Sequence, residues 1–146
     1  MAPFRFRLEQ VRRYRRQLEE QAMQRQAEAI MERDRILARR DAMEQELCGH
    51  RLKLSRPDLL DFAERSLTLE YAAALSRDLE DCAAELVAAE DRVDIRRRQL
   101  AEKAVERQLL DRLEEKQADR HQVTERKQEQ LRDDETATLR YKHAAV

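Results

Sequence analysis

The chain has 146 residues, 42% of them charged and 4% aromatic, with one glycine, two prolines, no tryptophan and a net charge of −1. So few turn-formers exclude a fold with many loops, and so few aromatics exclude a thick core. The single glycine, Gly49, also excludes the GxxxxGK phosphate loop and the GxGxxG dinucleotide fingerprint, each of which needs more than one.

What remains is long helix. Ala, Leu, Glu, Gln, Arg and Lys dominate from end to end, and these residues lose least on entering a helix. Such a chain buries a narrow stripe, so its stability is expected to be modest and shared with partners. The charge is unevenly spread. Residues 1–54 hold 13 Lys/Arg against 9 Asp/Glu, and residues 55–146 hold 17 against 22, so the two parts complement each other. No stretch approaches the roughly 18 apolar residues that span a bilayer. A secretory signal is not expected, because Phe4 to Leu18 has no uninterrupted apolar run. Glu9, Glu19 and Glu20 argue against an arginine-rich transit peptide, and Cys48 and Cys82 suit a reducing cytoplasm as small apolar residues.

The first segment opens with FRFRLEQVRRYRRQLEEQ, residues 4–21, which carries six arginines. Phe4, Leu8, Val11, Arg15, Leu18 and Ala22 are spaced as a helical seam, continued by Ala29, Ile36 and Met43 at seven-residue intervals with Ile30 and Leu37 beside them. The alternate seam positions fall on Arg25, Glu32 and Arg39, so this stripe is expected to pack imperfectly. The same three residues stand where a basic-zipper protein would continue its leucines after Leu18, so that DNA-binding architecture fails here. A helix is expected from about residue 4 to about residue 50.

The stretch CGHRLKLSRPDLLDF, residues 48–62, is where the chain is told to turn. Gly49 is placed to end the first helix, and Pro57 to start the second, because proline inside a helix costs about 3 kcal/mol. Ser55 and Asp58 have capping-box spacing. The turn is therefore expected over about 51–56 and the second helix over about 57–142. Just beyond lie Leu59, Leu60, Phe62, Leu67, Leu69 and Tyr71, more apolar residues than one seam can use. They read either as local core at the hairpin tip or as an exposed patch for another protein.

The second segment carries the strongest pattern in the chain: Leu75, Leu79, Cys82, Leu86, Ala89, Val93, Arg96 and Leu100 at alternating four- and three-residue steps. A repeat of 3.5 residues keeps one stripe facing a partner helix. One turn between two long helices makes them antiparallel neighbours, so the fold class is all-α, a single domain formed by a two-helix coiled-coil hairpin. With the turn near Pro57, Phe4 falls opposite roughly residue 110, and the second helix overhangs by about 33 residues. Residues 114–130 agree, with only Ala118 and Val123 apolar.

Catalytic chemistry finds no foothold. His50, His121 and His143 are scattered, and Cys48 with His50 is too little for a metal site. Hairpin geometry separates the two cysteines by about 24 Å, too far for a disulfide. The carboxylates have no cleft to desolvate them, so neither an enzyme nor a cofactor is expected. A nonspecific phosphate contact by the N-terminal arginines is opposed by the ten acids of residues 58–91, and nucleic acid is not expected as a partner.

The opening FRFRLEQVRRYRRQLEEQAMQRQAEA and the later ERKQEQLRDDETATLR resemble the terminal segments of the FliJ family of flagellar type III export proteins. Arg12, where the family often has leucine, and Asp133-Asp134-Glu135, in place of Leu-Asp-Glu, depart from its pattern. The resemblance implies an antiparallel coiled coil similar to the central stalk of rotary ATPases. It implies three partners, the export ATPase hexamer, the export gate protein FlhA and export chaperones, and a cytoplasmic protein at the inner membrane only through those partners. Phe4, Arg5, Leu8, Glu9, Val11, Tyr14 and Arg15 carry over to the N-terminal motif, and Glu125, Lys127, Asp134 and Glu135 to the C-terminal one. Arg12, Arg13 and Arg16 join them as candidate ATPase contacts by their charge, and Phe62, Leu67, Leu69 and Tyr71 are candidate gate contacts. The stalk protein of a virulence secretion system and a generic coiled-coil adaptor or homodimer are the alternatives.

Overall fold

The computed structural model describes residues 3–144. Helix α1 runs Glu9–Leu54 and helix α2 runs Phe62–Ala144, joined by a 3-10 turn at Pro57–Leu59, and there is no strand among the described residues. The two helices pack against each other as the expected all-α hairpin. The hairpin divides into two compact units, one of residues up to Glu19 and from Lys103 onward, the other Glu20–Glu102.

The helix bounds differ from the expected ones at three places. Residues 3–6 are not helical, so α1 starts at Glu9 rather than near Phe4. Gly49 lies inside α1, which continues to Leu54, since a glycine weakens a helix by about 1 kcal/mol without ending it. Pro57 opens the 3-10 turn rather than α2, and the cap sits four residues later. The Asp61 carboxylate accepts the Glu64 amide at 2.7 Å while the Glu64 carboxylate accepts the Asp61 amide at 3.2 Å. This is a capping box with aspartate first, which satisfies two of the orphan donors of a helix start. Ser55 instead donates its hydroxyl to the Leu52 carbonyl at 2.6 Å and closes α1.

Within Glu20–Glu102 the core is Ile36, Cys82, Leu86 and Ala89, with Leu37 and Met43 packed against it. All eight positions of the expected α2 seam, Arg96 included, are buried or half-buried. On α1 the buried and half-buried positions step Ala22, Gln26, Ala29, Arg33, Ile36, Arg40, Met43, Leu47. The seven-residue positions are those expected, but the alternate ones lie one residue later than Arg25, Glu32 and Arg39, which are exposed. That phase brings Leu47, 6% exposed, into the core. It also leaves Arg39 and Glu32 beside the seam, where they pair with Glu85 and Arg92 of α2. Hydrogen bonds from Arg39 to Glu85 and then to Cys82 hold that guanidinium above its ordinary pKa. The imperfectly packed stripe of α1 is thus bordered by ion pairs that solvent exposure keeps weak.

The unit containing both chain ends is built around a short strap. Phe6 is 8% exposed and Phe4 is half-buried, its ring 5.7 Å from that of His121. Phe4 therefore lies near residue 121 rather than residue 110. Non-helical chain advances about 3.3 Å per residue against 1.5 Å in a helix, so an extended strap reaches further along α2 than a helical start would. The solitary part of α2 is correspondingly shorter: from Arg126 to Ala144 every residue is exposed.

Candidate partner-binding surfaces

Helical spacing distributes the N-terminal arginines around α1, and the acids of α2 decide which of them stay free. Arg12 turns inward. It pairs with Glu9 and Glu114, and its guanidinium carbon lies 5.8 Å from the Phe6 ring centroid. Arg15 pairs with Glu106, which Lys103 also approaches at 3.5 Å. Arg107 of α2 answers from the other side, bonded to Glu19 and, at 2.6 Å, to Asp111. Its pKa is held above the ordinary arginine range, first by the hydrogen bond to Glu19, against which desolvation works, so the cation persists at any working pH. Arg13 keeps only a 3.4 Å contact to Glu9 and is 74% exposed. Arg5, Arg7 and Arg16 are exposed and form no ion pair among the described residues.

The candidate contact residues thus separate. Phe4, Glu9, Arg12 and Arg15 serve the hairpin, whereas Arg5, Arg13, Tyr14 and Arg16 face outward. Leu8 and Val11, expected in the seam, are 37% and 41% exposed because the seam is not continuous through the non-helical strap. Phe6 takes the buried place instead. On α2, Glu125 is half-buried with its carboxylate 3.6 Å from His121 Nδ1, and Lys127, Asp134 and Glu135 are exposed. Asp134 and Glu135 line one shallow groove with Leu131, Thr138 and Leu139. Glu19, Glu106, Arg107 and Glu114 were not singled out from the sequence. The opposite charge of the two halves was the signal, but it needs the register before it names pairs.

At the turn, most of the apolar excess is exposed rather than packed as local core. Phe62 is 90% exposed, Leu59 71%, Leu67 68% and Leu69 51%, and only Leu60 of the group is half-buried on residue average. Tyr71 is tied down: its hydroxyl donates to Glu46 at 2.8 Å, and its ring meets that of His50 edge-on at 4.9 Å. That hydrogen bond, and then the Glu46 charge, push the phenol pKa above its ordinary value of 10.0. An open groove follows along His50, Leu67, Thr68, Glu70, Tyr71 and Ala74.

No group of three or more His, Cys, Asp or Glu among the described residues could hold a metal ion. No helix among them is long and apolar enough to cross a membrane. The molecule offers surfaces and edges, and the comparison with known families gives them a context: the family model for the flagellar FliJ protein matches residues 4–145. The chain belongs to the FliJ family. Membership implies a role connected with flagellar export, and the match takes in both helices, the strap and the solitary end of α2. No curated protein and no solved structure matches the chain.

Proposed function

We propose that this FliJ-family chain is a non-enzymatic component of the flagellar type III export apparatus, a stalk-like coiled coil that binds the export ATPase ring and links it to the export gate protein FlhA and to export chaperones. The observation that carries the reading is the family match over nearly the whole chain, and the unit holding the chain ends supports it physically. That unit combines outward arginines, Arg5, Arg7, Arg13 and Arg16, with an α2 end whose residues 126–144 are all exposed. A polar helix without a partner is marginal in water, so a receiving protein would stabilise it. The ATPase surface comprises those arginines with Tyr14, Lys127, Asp134 and Glu135. Arg12, Arg15 and Glu125 act indirectly by holding the strap and helices in place. The exposed Phe62, Leu67 and Leu69, with Tyr71 at their edge, form the gate-facing patch. The protein works in the cytoplasm and reaches the inner membrane only through these partners.

The test is co-purification with the cognate export ATPase and, separately, with the cytoplasmic part of the gate. Changing Arg5, Arg7, Arg13 and Arg16 together to Glu should abolish capture of the ATPase and leave capture of the gate intact. Changing Phe62 and Leu67 to Ser should do the reverse. If the wild-type chain neither binds the ATPase nor alters its hydrolysis or ring assembly, the reading fails.

A further inference from the structure

The strap ahead of α1 is held by different forces from the rest of the molecule. In FRFR, residues 4–7, phenylalanine and arginine alternate, which is the period of an extended chain whose side chains point to opposite faces. Phe6 is buried and Phe4 half-buried, whereas Arg5 and Arg7 are exposed. Phe4 meets the ring of His121, and Phe6 lies under the Arg12 guanidinium. The backbone bonds of the strap are local. The Glu9 amide donates to the Phe6 carbonyl at 3.3 Å and the Arg12 amide to the Leu8 carbonyl at 2.9 Å, and none reaches α2 among the described residues. Neither Arg5 nor Arg7 forms an ion pair among them. Aromatic packing therefore holds residues 3–8 on α2, and apolar contact, unlike a strand ladder, orphans no backbone group when it breaks. The cover is also partial. Two shallow grooves border Phe4, one along Ala118, Asp119, His121, Gln122 and Glu125, the other along Arg5, Arg7 and Gln117.

We propose that residues 3–8 form a latch that lifts from α2 while the two helices stay paired, so that the bare end of α2 has a short and a long form. The hinge is at Leu8 and Glu9, where the first turn of α1 begins. The ion pairs that join the helices in this unit, Arg12 with Glu114, Arg15 with Glu106 and Arg107 with Glu19, all lie beyond that hinge and survive the opening. Closing the latch orders residues 3–8 to bury one phenylalanine and part of another, and the lost chain entropy offsets much of that gain. Docking is thus favoured only narrowly, and opening belongs to the low-energy local motions of the chain rather than to its unfolding. With the latch closed, every residue from Arg126 to Ala144 is exposed. With it open, α2 has no neighbour from about residue 118, which adds about eight residues, or about 12 Å, to the bare helix. Opening also carries Arg5 and Arg7 away from Arg13 and Arg16. A protein that grips α2 as far as residue 118 must therefore lift the strap, whereas one that stops at residue 126 leaves it closed. The latch is a property of this chain alone and does not depend on the export reading.

Fluorine NMR of the full chain labelled with fluorophenylalanine reads the latch directly. The chain has three phenylalanines, and the third, Phe62, is 90% exposed and serves as the solvent reference. On warming, the Phe4 and Phe6 signals should move to the position of the Phe62 signal well below the temperature at which circular dichroism at 222 nm reports loss of helix. Movement of those signals only together with the helical transition would overturn the latch. Amide hydrogen exchange tests the cover. Phe4→Ser with Phe6→Ser should speed exchange at residues 118–125 at least about tenfold, towards that of residues 126–144, and leave residues 75–100 as in the wild type. Unchanged exchange at residues 118–125 would mean that the strap covers nothing there, and faster exchange in both stretches would mean that the strap is part of the hairpin core; either result overturns the proposal.

Discussion

Leu86→Ala tests the account of the core most directly. Leu86 is 9% exposed and packs in the cluster of Ile36, Cys82 and Ala89. Buried Leu→Ala changes cost about 2–5 kcal/mol, the spread reflecting how far the surroundings collapse into the cavity. Two helices enclose a seam from few sides, and the flexible Met43 borders this one, so the cavity can close and the cost should fall near the low end, about 2–3 kcal/mol. For a chain of this size each kcal/mol lowers Tm by about 3 °C, which gives a fall of about 6–9 °C. The assay is thermal and urea unfolding followed by circular dichroism at 222 nm, at low protein concentration. Met31→Ala, at a site 56% exposed, is the control and should change stability by less than about 0.5 kcal/mol. Equal losses in the two variants, or a loss below about 1 kcal/mol at Leu86, would refute a core centred on this cluster.

Asp61→Ala should cost about 1 kcal/mol and speed hydrogen exchange at the first amides of α2, whereas Ser55→Ala should leave them unchanged. Arg12→Ala should cost about 1 kcal/mol because its side chain is 16% exposed between Glu9, Glu114 and Phe6, and Arg13→Ala, at 74%, should cost almost nothing. The Tyr71 phenol has its pKa raised in the folded chain, so its hydrogen bond to Glu46 contributes fully below pH 10.0 and is lost as pH rises through the folded value. Tyr71→Phe should therefore lower stability at neutral pH and make no difference at strongly alkaline pH, measured as paired urea midpoints. Gly49→Ala should stabilise α1 by about 0.5–1 kcal/mol, since an added Cβ meets nothing within 4 Å.

Legibility in the sequence followed how far a signal depended on register. The α2 seam could be read residue by residue because each step from Leu75 to Leu100 repeats the same period. On α1 the seven-residue set Ala22, Ala29, Ile36 and Met43 was legible, but the alternate set was not. Residues three and four positions on are both helical neighbours, and the charged residues at 25, 32 and 39 compete there with Gln26, Arg33 and Arg40. Leu47 was the clue that selects the later set. Phe6 could not be found by a helical period, because the strap that buries it is not helical. The capping box was misplaced for a related reason: Ser55 and Asp58 have the right spacing, but Asp61 and Glu64 have it too, with the more usual Glu at the third helical position. Partner residues were the least legible, since an arginine becomes outward or committed only once an opposing acid is positioned.

The contrast between the two cysteines turns the hairpin into its own clock. Cys48 is exposed on α1 and Cys82 is buried, donating towards the Ile36 carbonyl at 3.7 Å. A thiol reagent should consume Cys48 at once and reach Cys82 only when the helices separate. When opening and reclosing are fast relative to modification, the ratio of the two rates gives the fraction of time that part of the hairpin stands open. The protein thus carries a native reporter of helix separation, and a binding partner that clamps this region would register as a slower second phase with the first unchanged.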